Sequence, residues 1–259
     1  MDQKPVSIPS PAKTINEVLS QLDNIIDLSV NSNDYLFVFA FVYRKTTQKV
    51  KDAIESGRFE DNKRMETMDV IFANLFIEAY YNFLSSRTIS NAWRVAFESK
   101  NIKLAIVQHI LLGMNAHINL DLSIAAASVA KGSSILNIKN DFMIINDILK
   151  ELTNSMQKDL GKASILMKLL DFFGFRSDEK IINFSIKKAR DFAWLNAMEL
   201  ALVKKEKQSS RITEIDNRVL KLGKMIRNSP SLFLRIVLRS ISRFEVNDKK
   251  LILQKMSQE

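Results

Sequence analysis

The chain has 259 residues, 46% hydrophobic and 26% charged, which is enough apolar matter for a substantial core and argues against general disorder. Six glycines and four prolines, with no proline between residues 12 and 229, exclude the turn-rich chain of a β-sandwich or barrel, and the absence of cysteine excludes disulfides, thiolate nucleophiles and Cys-ligated metals. The formal net charge is +9, but residues 1–200 hold 24 Lys and Arg against 23 Asp and Glu, while residues 201–259 hold 14 against 6. The excess therefore belongs to the C-terminal end and says little about the rest.

Residues 1–13 are rich in Pro and Ser and read as a flexible arm. They lack the charged-then-apolar pattern of a secretory leader, so cytoplasmic residence is the expectation. Thr14 and Glu17 have capping-box spacing, and Ile15, Leu19, Leu22, Ile25 and Ile26 follow at helical spacing. A second helix is expected from a cap at Asn33 or Asp34 to about Ser56, with Gly57 ending it. A third runs from about Asp61 to Leu84 through Met65, Met68, Phe72, Phe76 and Phe83, and a short one begins at Ser90 and carries Trp93 and Phe97.

A long helix is expected from about Ile102 to Ala130. Its stretch 104–130, LAIVQHILLGMNAHINLDLSIAAASVA, has no Lys or Arg and a single acid, Asp121. An all-round apolar helix is either a membrane span or the centre of a bundle. An aspartate at mid-span costs roughly 2.5–3.5 kcal/mol on insertion scales, and the two imidazoles and three amides (Gln108, Asn115 and Asn119) add to that, so the bundle is the expectation. Further helices are expected from Asn140 or Asp141 to Gly161, over Ile165–Phe173, and from Asp178 through Trp194 to Leu202. The polar run Lys204–Arg211 reads as a hinge, and three basic helices follow, at about Ile212–Arg227, Ser231–Phe244 and Lys249–Met256. The fold class is thus all-α, a multi-helix bundle around a long buried central helix. Its organisation reads as an arm at 1–13, a helical core at 14–203 and a basic helical extension at 204–259 packed on that core.

Burial makes the polar residues of the central helix informative. His117 and Asp121 are four apart and share a face, whereas Asn115 and Asn119 form a second pair on nearly the opposite face. A buried carboxylate needs a cation, an imidazole, a metal or several donors. Gly113 stands one residue before this run and lowers helix propensity by about 1 kcal/mol, which suits a place where another helix or a ligand approaches the backbone. Two readings stay open: a structural network that specifies packing, and a functional pocket walled by His117 and Asp121.

The segment Gly113-Met-Asn-Ala-His-Ile-Asn-Leu-Asp-Leu122 resembles the signature of an uncharacterised bacterial family, the domain-of-unknown-function family numbered 5995. Similarity extends to Phe41-Val-Tyr43-Arg44-Lys-Thr-Thr47, to Met68-Asp69-Val-Ile-Phe72-Ala73-Asn-Leu75, and through Asn146-Asp147 to Arg190-Asp191 and Trp194. The resemblance implies kinship and no particular chemistry.

Asp69, Tyr43, Arg44, Asp147 and Arg190 are the residues on other helices that a bundle would bring toward His117, Asp121, Asn115 and Asn119. His117 with Asp121 and Asp69 is the candidate catalytic set of a hydrolase-type enzyme; the other six would line a small-ligand pocket. A single metal ion is compatible with His-x-x-x-Asp, but two histidines in the whole chain are too few for a multinuclear zinc site, and no cofactor is expected. There is no P-loop, dinucleotide fingerprint or nucleophile elbow. In Ser231–Phe244, Arg235, Arg239 and Arg243 form an i, i+4, i+8 row among Leu, Ile and Phe, suited to a membrane surface or a protein partner. No sequence-specific nucleic-acid signature accompanies it.

Overall fold

A computed structural model describes residues 8–149, 151 and 178–257; side chains between 178 and 186 are not described. All regular structure among the described residues is helical. Helices α1 (Ile15–Asn31), α2 (Leu36–Glu55), α3 (Asn62–Leu84) and α4 (Asn91–Glu98) are followed by α5 (Ile106–Ala116), one π-helical turn (His117–Asp121) and α6 (Leu122–Val129). Next come a 3₁₀ segment (Gly132–Ile138), α7 (139–149), α8 (Asp178–Leu202), α9 (Lys205–Arg227), α10 (Leu232–Phe244) and α11 (Lys249–Ser257).

Several helix starts obey local rules. Thr14, Asp61, Ser90 and Ser231 each accept a backbone N–H three residues on. The second helix begins at Leu36, where Asp34 Oδ1 accepts the Leu36 N–H at 2.9 Å, and Gly57 stands at φ +71° just beyond the end. Three starts are held from a distance, those of α3 and α4 in addition to their local caps. Asp141, fully buried, accepts from Glu60 N (2.7 Å) and Asp61 N (3.2 Å) and takes Arg64 at 3.1 Å. Asp216 on α9 accepts from Asn91 N and Ala92 N, both at 2.8 Å, at the head of α4. Glu245 accepts the Ile106 N–H at 2.8 Å at the head of α5. Each carboxylate meets the positive end of a helix it is far from in sequence.

The central helix differs from expectation at its start. It begins at Ile106; Ser99–Asn101 form a 3₁₀ turn and Ala105 is extended, because Glu245 and Gln108 take the first free N–H groups there. Its 24 residues are long and apolar enough to cross a membrane, and 78% of the most apolar window is buried within the protein. Helices α2, α4 and α9 pack around α5, and α3 and α8 around α6. The run expected as a hinge is helical from Lys205 onward, so the break between α8 and α9 is confined to Val203 and Lys204. Arg211 ties the two helices by bonding Glu199, and Ile215 and Val219 belong to the main core. The expected end at Gly161 and the helix at Ile165–Phe173 lie outside the described residues.

Gly113 is explained by a ring. A Cβ there would sit 2.3–2.8 Å from three atoms of Phe39, so the aromatic ring of α2 packs directly on the backbone of α5. Phe39 in turn touches Phe76, Trp93 and His117, which makes this contact the foundation of the aromatic cluster below.

Candidate functional site

The π turn carries the polar residues. The N–H of Leu122 reaches back five residues to the carbonyl of His117, widening the helix by one residue just where the His117 imidazole and the Asp121 carboxylate leave it. Such single turns occur often at functional sites. His117 Nδ1 and Asp121 Oδ2 are 3.0 Å apart, and Trp93 Nε1 donates to the same Oδ2 at 2.9 Å. His117 is 2% exposed and Asp121 3%.

Five aromatic rings enclose the imidazole. Phe72 stacks on it with centroids 3.6 Å apart, Tyr43 stands edge-on at 4.3 Å, and Phe39, Phe76 and Trp93 complete the shell. Four of these rings are buried; Phe72 is the half-buried one and forms the outer wall. In so apolar a setting charge is costly. Burial holds His117 well below the usual imidazole range and pushes Asp121 well above the usual carboxyl range. The Trp93 hydrogen bond opposes the Asp121 shift, and the charge of Asp216 adds to it. The pair is therefore held as a neutral imidazole beside a carboxyl that resists ionisation.

Tyr43 and Asp69 join this node. Burial raises the Tyr43 phenol, and the charges of Asp69 and Asp121 raise it further. The Thr47 hydroxyl lies close enough to oppose that shift, but neither Tyr43 Oη nor Thr47 Oγ1 has a hydrogen-bond partner of good geometry. Asp69 is 7% exposed, its Oδ2 is buried without a partner among the described residues, and burial, followed by the charge of Glu66, raises its carboxyl to about 7. His117 Nε2 is a fourth buried atom without such a partner among the described residues. On α3, Asp69, Phe72 and Phe76 share one face, so the acid and the two rings against His117 are presented together.

The remaining expected site residues lie elsewhere. Asn115 Nδ2 donates to Val219 O of α9 at 3.0 Å, and Asn119 Nδ2 donates to Asn115 Oδ1 at 3.0 Å, on the side of the helix away from His117. Gly223 leaves room for that amide, which would lie 3.2 Å from a Cβ there. Arg44 is on the surface, paired with Asp23 of α1 at 2.8 Å, because the residue after Tyr43 points away from the core face of α2. Asp147 is exposed. Arg190 is buried, donates to Phe142 O and Asn146 Oδ1, lies 4.4 Å over the Phe142 ring, and is lowered by burial to about 9. Trp93 and Thr47 are the site residues that sequence reasoning missed. Thr47 is four residues beyond Tyr43 on the same helix face, a spacing that pointed to it; Trp93 had no local signal, since 28 residues separate it from Asp121.

Among the described residues no three His, Asp or Glu side chains converge as a metal site would require. An open surface cavity of about 340 Å³ lies between α3 and α6, lined by Arg64, Thr67, Ile71 and Ser128 among others. It is on a different face of α3 from Asp69 and does not reach the node. His109 is also separate: it stacks on Tyr35 at 4.7 Å, with Lys249 of α11 3.6 Å over the other ring, and burial together with Lys249 lowers it to about 4.

No curated protein and no solved structure matches the chain. A family model described as a family of unknown function (DUF5995) matches residues 15–229, which span every residue of the node, the long-range cap from Asp216 and the core positions of α9. With that match over most of its length, the chain belongs to DUF5995, the family of unknown function.

Proposed function

We propose that this protein is a small-ligand-binding helical module whose recognition point is the node of Tyr43, Thr47, Asp69 and His117, oriented by Asp121 and Trp93. One observation carries this reading. Among the described residues Asp69 Oδ2 and His117 Nε2 are buried without hydrogen-bond partners, and Tyr43 Oη and Thr47 Oγ1 are buried without one of good geometry, in a neighbourhood between α2, α3 and the π turn. Buried polar atoms are nearly always satisfied, and each orphan costs about 1–3 kcal/mol. A small polar guest with donors and acceptors of its own would satisfy several at once. The way in passes Phe72, the half-buried ring of the shell.

A test is thermal denaturation of the untagged chain with a panel of small amines, alcohols, amides and carboxylic acids, alongside mass spectrometry of what the purified protein releases on denaturation. At least one compound should raise Tm in the parent and lose its effect in Asp69→Asn and Tyr43→Phe. If nothing is released, nothing shifts Tm, and both variants are simply more stable, the node serves packing alone.

A second reading has its own observation. A carboxyl raised to about 7, on the same face of α3 as the rings packed against a neutral imidazole that a second acid holds, is the combination expected of acid–base catalysis near neutral pH. In that hydrolase-type reading His117 is the base, Asp121 its orienter and Asp69 the acid. Turnover of a bound compound, with a pH profile whose limb near 7 vanishes in Asp69→Asn, separates catalysis from binding.

A further inference from the structure

Helix α10 has two apolar faces, and among the described residues only one of them is packed. Ile241 is buried against Ala105, with Val237 and Leu238 packed beside it, and Glu245 just past the helix end holds the start of α5. The helix is thus fixed to the body rather than hanging from it. On its outer side Leu232, Phe233, Ile236 and Phe244 are 64%, 77%, 55% and 73% exposed. At roughly 100° per residue these four fall within an arc of about 120°. Arg235, Arg239 and Arg243 run along one border of that arc.

The charge along this stretch of the sequence has one sign. From residue 217 to residue 244 there is no Asp or Glu, while Arg218, Lys221, Lys224, Arg227 and the three arginines of α10 lie within it. A second copy of this chain would set this positive stretch against itself. A nucleic acid would meet the arginines but would leave four large apolar side chains in water. An anionic bilayer answers both features, since its headgroups take the arginines and its acyl boundary takes the apolar arc.

We propose that α10 is a membrane-docking helix that lies in the plane of an anionic lipid surface, with Phe233 and Phe244 inserted below the headgroups and Arg235, Arg239 and Arg243 among them. The proposal is independent of the ligand reading of the polar node.

The experiment is co-sedimentation of the full chain with phosphatidylcholine vesicles, with and without phosphatidylserine, at low and high salt. Binding is expected only with phosphatidylserine and should weaken as salt rises. The triple variant Arg235→Gln/Arg239→Gln/Arg243→Gln should bind about a hundredfold more weakly, at about fivefold per charge. Phe233→Ser/Phe244→Ser should lose at least about tenfold with its charge unchanged. Phe233, Phe244, Arg239 and Arg243 are exposed, whereas Arg235 is half-buried with its Nε enclosed, so an unchanged Tm is expected of Phe233→Ser/Phe244→Ser and of Arg239→Gln/Arg243→Gln, which alone should bind about twenty-five-fold more weakly. The proposal is overturned by equal binding to neutral vesicles, by no binding to anionic ones, or by a Phe233→Ser/Phe244→Ser variant that binds as the parent does, which reduces the effect to adhesion by a basic protein. A concentration-dependent dimer dissolved by the same double variant overturns it as well, by assigning the face to a second copy.

Discussion

Asp69→Asn isolates the electrostatics of the polar node. In the folded chain burial raises the Asp69 carboxyl to about 7, from an ordinary value of 3.8. The folded state therefore keeps this proton over a pH range in which the unfolded state has released it. Stability from that proton is fully present below about pH 4 and is lost as pH rises, at about 1.4 kcal/mol per pH unit, until the folded carboxyl also ionises near 7. The three-unit displacement amounts to about 4 kcal/mol of lost stability above pH 8. Asparagine has nearly the shape of the protonated acid and cannot ionise. The variant and the parent should thus differ little at acid pH, and the variant should be more stable by about 1–2 kcal/mol at pH 5 and about 4 kcal/mol at pH 8. Urea unfolding of both chains at pH 5, 6, 7 and 8 measures this. Other titrating groups are common to both proteins and cancel in the difference. A difference that stays constant with pH refutes the reasoning, because it would mean that Asp69 ionises in the fold as it does in the unfolded chain.

Gly113→Ala places a methyl group within 2.3–2.8 Å of the Phe39 ring and should destabilise the fold by at least about 1–3 kcal/mol, with partial recovery in Gly113→Ala/Phe39→Leu; a Tm equal to the parent's would contradict the packing described. Asp216→Ala removes the acceptor for Asn91 N and Ala92 N and should cost about 1–3 kcal/mol in urea unfolding, with a change in near-ultraviolet circular dichroism from the neighbouring Trp93. His109→Leu tests an acid-side effect. Its imidazole falls to about 4 in the fold, so the unfolded state protonates first and the parent loses stability as pH drops from about 6.5 toward 4. Between pH 7 and pH 5 the parent should lose about 2 kcal/mol relative to the variant, and parallel pH profiles would count against it.

The family match and the sequence reading meet at the central helix. Local pattern alone identified an all-α chain, the buried apolar helix, the pairing of His117 with Asp121, the cap at Thr14 and the helix starts near Asp61 and Ser90. These features involve residues three or four positions apart, and helical geometry brings such residues together whatever the rest of the molecule does. Tertiary structure decided the rest. It brought Trp93 to Asp121, set Tyr43 and Phe72 against His117, and sent Arg44 to the surface and Arg190 to Phe142. It also chose Asp141, Asp216 and Glu245 to hold helices begun 81, 125 and 139 residues away. The π turn belongs with these. Its extra residue accommodates two opposite polar pairs in one buried helix, each meeting partners on a different side. Periodicity states which face of a helix is buried, but which neighbour covers it depends on how the helices pack, and no local spacing encodes that.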